Sequence, residues 1–298
     1  MYKLLNSYID KMIASKPSSK EIDFLLHIAV YQDETGRVES VYYKDVCNAI
    51  DISIQKFYDI LKSLSDKELI KYTKIHNADV CVTLLGNDCS DDKFKSGYLK
   101  VAAQDFKSQK FRKLKAGSKL LYLYTQRFRE GKHMLVQNFY EDFCKIFGVA
   151  RKSLQKYLKE LKQNYLLFVS KKRNKAYNYE MTMKSSTLLN IEKKKIIPRE
   201  NEYYVKNICN LLERNFSRYI PDKKGQRILE DIANMATTER AKKYDNFVSL
   251  IVTAVSRSIY KQKKEGNKTP VLNAALVNKC LTSILDETIL KKYGISLA

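Results

Sequence analysis

The sequence predicts a mainly helical α+β protein with small β-hairpins: two tandem copies of a helix, strand, helix, helix, hairpin unit, followed by a C-terminal helical domain. Three observations predict it. The phrase YYKDVCNAI begins at Tyr42 and FYEDFCKIF begins at Phe139, 97 residues later. The flanks of the two phrases agree in kind, with an apolar helical run before each and a lysine-studded amphipathic run after each. Residues 200–298 carry no third copy and show only helical periodicity.

The elements follow in order. Ile22, Leu25, Leu26 and Ala29 in the first copy, and Leu120, Leu121, Tyr124 and Phe128 in the second, fall at helical spacing and predict a first helix. Each breaks at a glycine, Gly36 or Gly131, before a short strand-like stretch, VESV or HMLV. The repeated phrase then opens a second helix, in which Cys47 and Cys144 take equivalent places and are expected to face the core as small hydrophobes. Overlaying 42–70 on 139–167 without a gap gives seven identities in 29 positions. A tight connection follows, with Gly148 where the backbone needs a positive φ and Asp51, a poorer choice, in the same place of the first copy. The third helix buries Phe57, Ile60, Leu61 and Leu64, matched by Leu154, Tyr157, Leu158 and Leu161, one stripe at i, i+3, i+4, i+7. LIKYTKIHNADVCVTLL and LLFVSKKRNKAYNYEMTM then alternate around polar tips near His76–Asp79 and Arg173–Lys175, which reads as a hairpin in each copy.

Beyond the second hairpin, EKKKIIPRE from Glu192 reads as a linker, because Pro198 discourages a helix through it. NEYYVKNICNLLERNF, GQRILEDIANMA, YDNFVSLIVTAVSRSIYKQKKEG and a stretch from Leu272 to Leu290 read as amphipathic helices. The expected domains are therefore 1–95, 96–191 and 200–298, with 192–199 between the last two.

This order of elements resembles tandem winged helix-turn-helix domains, at about 18–90 and 115–184. FGVARKSLQKYLKELKQNYLL from Phe147 is similar to the turn and recognition helix of bacterial helix-turn-helix proteins. Two winged helices in one chain resemble plasmid replication initiators, and a winged helix followed by a helical domain resembles the DnaD-type primosome proteins. The resemblance covers about half the chain. It implies a sequence-specific binder of double-stranded DNA whose third helix enters the major groove and whose wing lies along the backbone or in the minor groove.

Charge divides the copies. Across the chain 55 Lys+Arg stand against 33 Asp+Glu, a net +22 that implies a polyanionic partner. Residues 1–95 carry 13 cationic and 15 acidic side chains, 96–197 carry 24 and 7, and 198–298 carry 18 and 11. The second copy is thus the one suited to phosphates. On the winged-helix geometry it offers Arg151, Lys152, Ser153, Gln155 and Lys156 where the first offers Ile54, Gln55, Lys56, Tyr58 and Asp59. Arg151 and Gln155 are the base-reading candidates, since arginine pairs with guanine and glutamine with adenine through two hydrogen bonds. Lys152, Lys156 and the wing residues Lys171, Lys172, Arg173 and Lys175 are candidates for phosphates. Arg112, Lys113 and Lys115 could extend the basic track. Ile54 and Tyr58, apolar and aromatic on the outer face of the first copy, point to a protein contact, with a second copy of the chain or a replication or transcription protein as the expected partner.

No phosphate loop, dinucleotide fingerprint, nucleophile elbow or HExxH motif is present, and no enzyme activity, metal or cofactor is expected. The six cysteines show no CxxC spacing, and His27, His76 and His133 lie on separate elements. No signal-peptide core opens the sequence, and the most apolar run, FVSLIVTAV, holds nine residues, too few to span a bilayer, so a cytoplasmic protein is expected. Replication initiation on a plasmid, phage or mobile element is the leading expectation. Transcriptional regulation, a protein-interaction scaffold and a tyrosine-dependent DNA-processing enzyme stay open.

Overall fold

The computed structural model describes residues 3–76, 79–90, 97–100, 108–127, 133–136, 139–164, 168–174, 176–182, 202–244 and 246–292. Two compact units emerge, one of Met1–Lys74 with Val80–Ile197 and one of Ile75–Asp79 with Pro198–Ala298. The chain is mainly helical, with small antiparallel sheets.

The first unit opens with β1 (Lys3–Leu5) and α1 (Asn6–Ser15), then α2 (Ser19–Ile28), β2 (Arg37–Tyr42), α3 (Tyr43–Ile50), α4 (Ile54–Asp66), β3 (Ile70–His76) and β4 (Asp79–Leu84). After β5 (Tyr98–Lys100) and the single turn α5 (Gln109–Arg112) the series recurs: α6 (Ala116–Gln126), β6 (His133–Val136), α7 (Phe139–Phe147), α8 (Arg151–Gln163), β7 (Phe168–Asn174) and β8 (Ala176–Thr182). The helices α4 and α8 have 13 residues each and start 97 positions apart. Both three-stranded sheets place the last strand in the middle, β2-β4-β3 and β6-β8-β7. In the second, β7 and β8 pair antiparallel from Phe168↔Thr182 to Asn174↔Ala176.

The repeat extends to single hydrogen bonds. α3 ends with Asp51 at φ 55° and α7 with Gly148 at φ 56°, the left-handed conformation that the connection demands. In both copies the carbonyl of the shared cysteine accepts the bond that closes the helix, Ile52 N to Cys47 O and Val149 N to Cys144 O, each at 3.1 Å. Cys47 and Cys144 are half-buried against the core. Gly36 bends the entry to β2 at φ 80°, where a Cβ would stand 2.7 Å from the Asn87 carbonyl oxygen.

One carboxylate position also recurs with its partners exchanged. In the first copy Glu21 of α2 bonds Ser63 of α4 and accepts from the N-cap amide of Ser18 at 2.7 Å. In the second copy Ser118 of α6 donates to Glu160 of α8, and Glu160 accepts from the Lys115 amide at 3.2 Å. Glu21 aligns with Ser118 and Ser63 with Glu160, so helix one is tied to helix three, and its first turn satisfied, by the same chemistry from opposite sides.

A single apolar core runs from Leu4 through Leu161 and joins both repeats. α1 lies between them, with Tyr8, Ile9, Met12 and Ile13 buried. Polar ties cross the same boundary. Lys119 of α6, wholly buried, pairs with buried Asp23 of α2 at 2.5 Å and donates to Ser19 O at 3.3 Å. Arg127 reaches both the Asn6 carbonyl and Asp10 at 2.7 Å.

The second unit contains α9 (Glu202–Phe216), α10 (Gly225–Asn234), α11 (Phe247–Lys264) and α12 (Ala274–Lys292) around its own core, with Ile208, Leu212, Leu229, Ile251, Val255, Leu281 and Leu285 among the buried residues. No helix among the described residues is long and apolar enough to cross a membrane.

Candidate nucleic-acid interface

α8 forms because its apolar residues fall on one stripe and its cations on the rest. Leu154, Leu158 and Leu161 are buried, while Tyr157 is half-buried with its ring beside Gly117 of α6. A Cβ at position 117 would lie 2.1 Å from that ring, so the glycine makes room for the tyrosine. The opposite side of α8 presents Arg151, Lys152, Gln155 and Lys156, all exposed, with Ser153 half-buried. Lys159 and Lys162 continue the exposed cationic face.

Arg151 is positioned rather than free-standing. Its guanidinium lies over the Tyr140 ring of α7 at 4.6 Å from the centroid, a cation–π contact that limits where the side chain swings. Tyr140 matches Tyr43 in the repeated phrase, and no local sequence signal marks its contact with Arg151, which arises from the packing of α7 against α8. The two third helices also begin differently. Ser53 caps α4 by accepting from Lys56 N at 3.2 Å, whereas Ala150, in the same extended conformation, gives α8 no side-chain cap.

The equivalent face of the first copy is organised otherwise. Ile54 is 52% exposed. Gln55 donates to Asp59 at 2.9 Å, so these two side chains satisfy each other. Tyr58 is half-buried against the core, its ring 5.2 Å from Phe57 and beneath the Lys74 ammonium at 5.9 Å. Of the two candidate partner contacts, Ile54 stands in solvent and Tyr58 packs inward.

Lys171, Lys172 and Arg173 lie on β7 opposite Tyr179, Asn178 and Tyr177 of β8. Lys175, between the two strands, lies outside the described residues. Arg112 is half-buried and close enough to Asp23 to act on its charge, so it belongs to the junction between the repeats, while Lys113 and Lys115 are exposed. The arrangement can therefore offer hydrogen-bond donors and positive charge to an extended anion along α8.

His27, His76 and His133 stay on separate elements, and no group of three or more His, Cys, Asp or Glu could hold a metal ion among the described residues. Comparison with protein-family models, with curated proteins and with solved structures finds no match to this chain.

Proposed function

We propose that both repeats of the first unit are winged helices and that the chain binds double-stranded DNA sequence-specifically through α8 of the second. One observation carries this reading. Two helices of equal length, held by equivalent hydrogen bonds, differ on their outer faces: Arg151, Lys152, Gln155 and Lys156 on one, Ile54, Gln55 and Asp59 on the other. In this reading Arg151, steered by Tyr140, and Gln155 read base edges, while Lys152, Ser153, Lys156 and the β7 cations contact phosphates. The first repeat uses Ile54 for a protein contact. We place the activity in replication initiation or primosome assembly on a plasmid, phage or mobile element, with transcriptional regulation as the alternative.

A random-library binding selection with the intact chain, repeated with Arg151→Ala/Gln155→Ala, tests the assignment. The double variant is expected to lose the selected preference, each lost bidentate pair costing about 1–3 kcal/mol of discrimination. An unchanged preference would refute groove reading by α8. Selected sites arrayed as origin repeats favour replication, and promoter operators favour transcription.

A further inference from the structure

The end of α11 carries a second basic surface, built differently from α8. Tyr260 is 67% exposed, the most exposed of the large hydrophobic side chains among the described residues. One turn on, Lys263 and Lys264 share its side of the helix, and both are exposed. Lys263 turns toward Tyr219, with Nζ 5.5 Å from the ring centroid and 3.4 Å from the hydroxyl. Arg218, the residue before Tyr219 in the short turn Ser217–Tyr219, lies 5.8 Å from the centroid of the same ring. The amide of Leu272 donates to the Tyr219 carbonyl at 2.7 Å, fixing that turn against the chain that leaves α11. Lys268, in the same connection, is exposed, and neither it nor Lys264 makes an ion pair among the described residues.

Lysines in the last turn of a helix are favoured by its dipole, and that alone accounts for Lys261, Lys263 and Lys264 as stabilisers. It does not account for a tyrosine held in solvent beside them, or for Tyr219, on a separate turn, set against Lys263. Aromatic rings interleaved with cations are the chemistry of single-stranded nucleic-acid binding: an unpaired base has a free face to stack on, and the phosphates beside it need positive charge. A duplex hides those base faces. An anionic membrane fits less well, because the apolar face of α11, with Val248, Ile251, Val255 and Ile259, is buried in its own unit.

We propose that the surface formed by Tyr260, Tyr219, Arg218, Lys263, Lys264 and Lys268 binds single-stranded nucleic acid, with Tyr260 stacking on a base and the cations holding phosphates. The inference is independent of the role given to α8. It is tested on the intact chain with fluorescein-labelled oligothymidylate, read by anisotropy. Tyr260→Ala should weaken binding about 5- to 160-fold, while Tyr260→Phe, which keeps the stacking face, should stay within about twofold. Lys263→Ala/Lys264→Ala should reduce the salt slope by about 1.4, two single-strand phosphate contacts. Tyr260→Ala should leave the duplex sequence preference of the intact chain unchanged, which separates this surface from α8. The proposal is overturned if Tyr260→Ala binds like the parent, if Tyr260→Phe falls as far as Tyr260→Ala, or if the chain ignores oligothymidylate and instead loses affinity for phosphatidylserine vesicles on Tyr260→Ala.

Discussion

The buried pair between Lys119 and Asp23 gives the sharpest test of how the two repeats hold together. Lys119 is fully buried, Asp23 is 5% exposed, and their charged atoms meet at 2.5 Å. Burial pushes the carboxyl of Asp23 up and the amine of Lys119 down, against the attraction of each for the other. Lys119→Met keeps the length of the side chain and removes its charge. It leaves Asp23 buried with no cation in contact, and breaking one side of such a pair costs about 3–5 kcal/mol. That is a large share of the roughly 5–15 kcal/mol by which a folded unit is usually stable.

Urea unfolding followed by far-UV circular dichroism reads the effect, and at a slope of about 2 kcal/mol per M the midpoint of the first unit should fall by about 2 M. Asp23→Leu/Lys119→Met, which removes both charges, should recover most of the loss, because an apolar pair of similar volume is often no less stable than a buried ion pair. A midpoint within about 0.5 M of the parent for Lys119→Met, or a double variant as unstable as the two single changes summed, would refute the view that this pair governs the junction.

Three further outcomes follow from the same geometry. Ala150→Ser should stabilise the first unit by about 1 kcal/mol, since position 150 already has the extended conformation of a cap, and Ser53→Ala should cost a similar amount; thermal melts of both variants check this. Gly117→Ala drives a methyl into the Tyr157 ring and should cost about 1–3 kcal/mol in urea unfolding, and Gly117→Ala/Tyr157→Ala, with the ring gone, should show no such added penalty. Burial pushes the Glu39 carboxyl up to about 7, despite Arg37 beside it at 2.9 Å. The folded state therefore holds this proton more tightly than the unfolded one, so its contribution is present below the ordinary carboxylate range and is lost as pH rises through about 7. Between those limits stability should fall by about 3 kcal/mol, and Glu39→Gln should flatten that part of a pH series of urea midpoints.

Much of the fold is legible in the sequence because the repeat and the apolar spacing obey local rules. Phe57, Ile60, Leu61 and Leu64 are buried on α4, and the need for a left-handed residue at 51 and 148 follows from the same local geometry. The helix α1 is equally legible, with Tyr8, Ile9, Met12 and Ile13 at helical spacing. The ties between the repeats were not legible. Lys119 is one lysine in a chain with 55 Lys+Arg, and nothing local distinguishes a cation buried against Asp23 from one in solvent. The candidate face of α8 could be placed from periodicity, since burial of Leu154, Leu158 and Leu161 fixes which side is outside. Its contact with Tyr140 could not, because a cation–π pair between two helices depends on their packing.

The exchange between Glu21/Ser63 and Ser118/Glu160 clarifies what the charge difference on the outer faces means. Inside the repeat, a carboxylate and a hydroxyl have traded places, and the tie between the helices persists with the same pair of groups. A change on one side has its answer on the other. On the outer faces, Ile54 against Arg151 and Asp59 against Lys156 have no such reciprocal change across the helix: Asp59 is satisfied locally by Gln55, and Lys156 has no ion pair among the described residues. Packing therefore requires a bridge at the inner positions and is indifferent to its direction, whereas no internal contact among the described residues accounts for the charge gained at 152 and 156. Under the proposed duplex binding, that charge meets successive phosphates along α8.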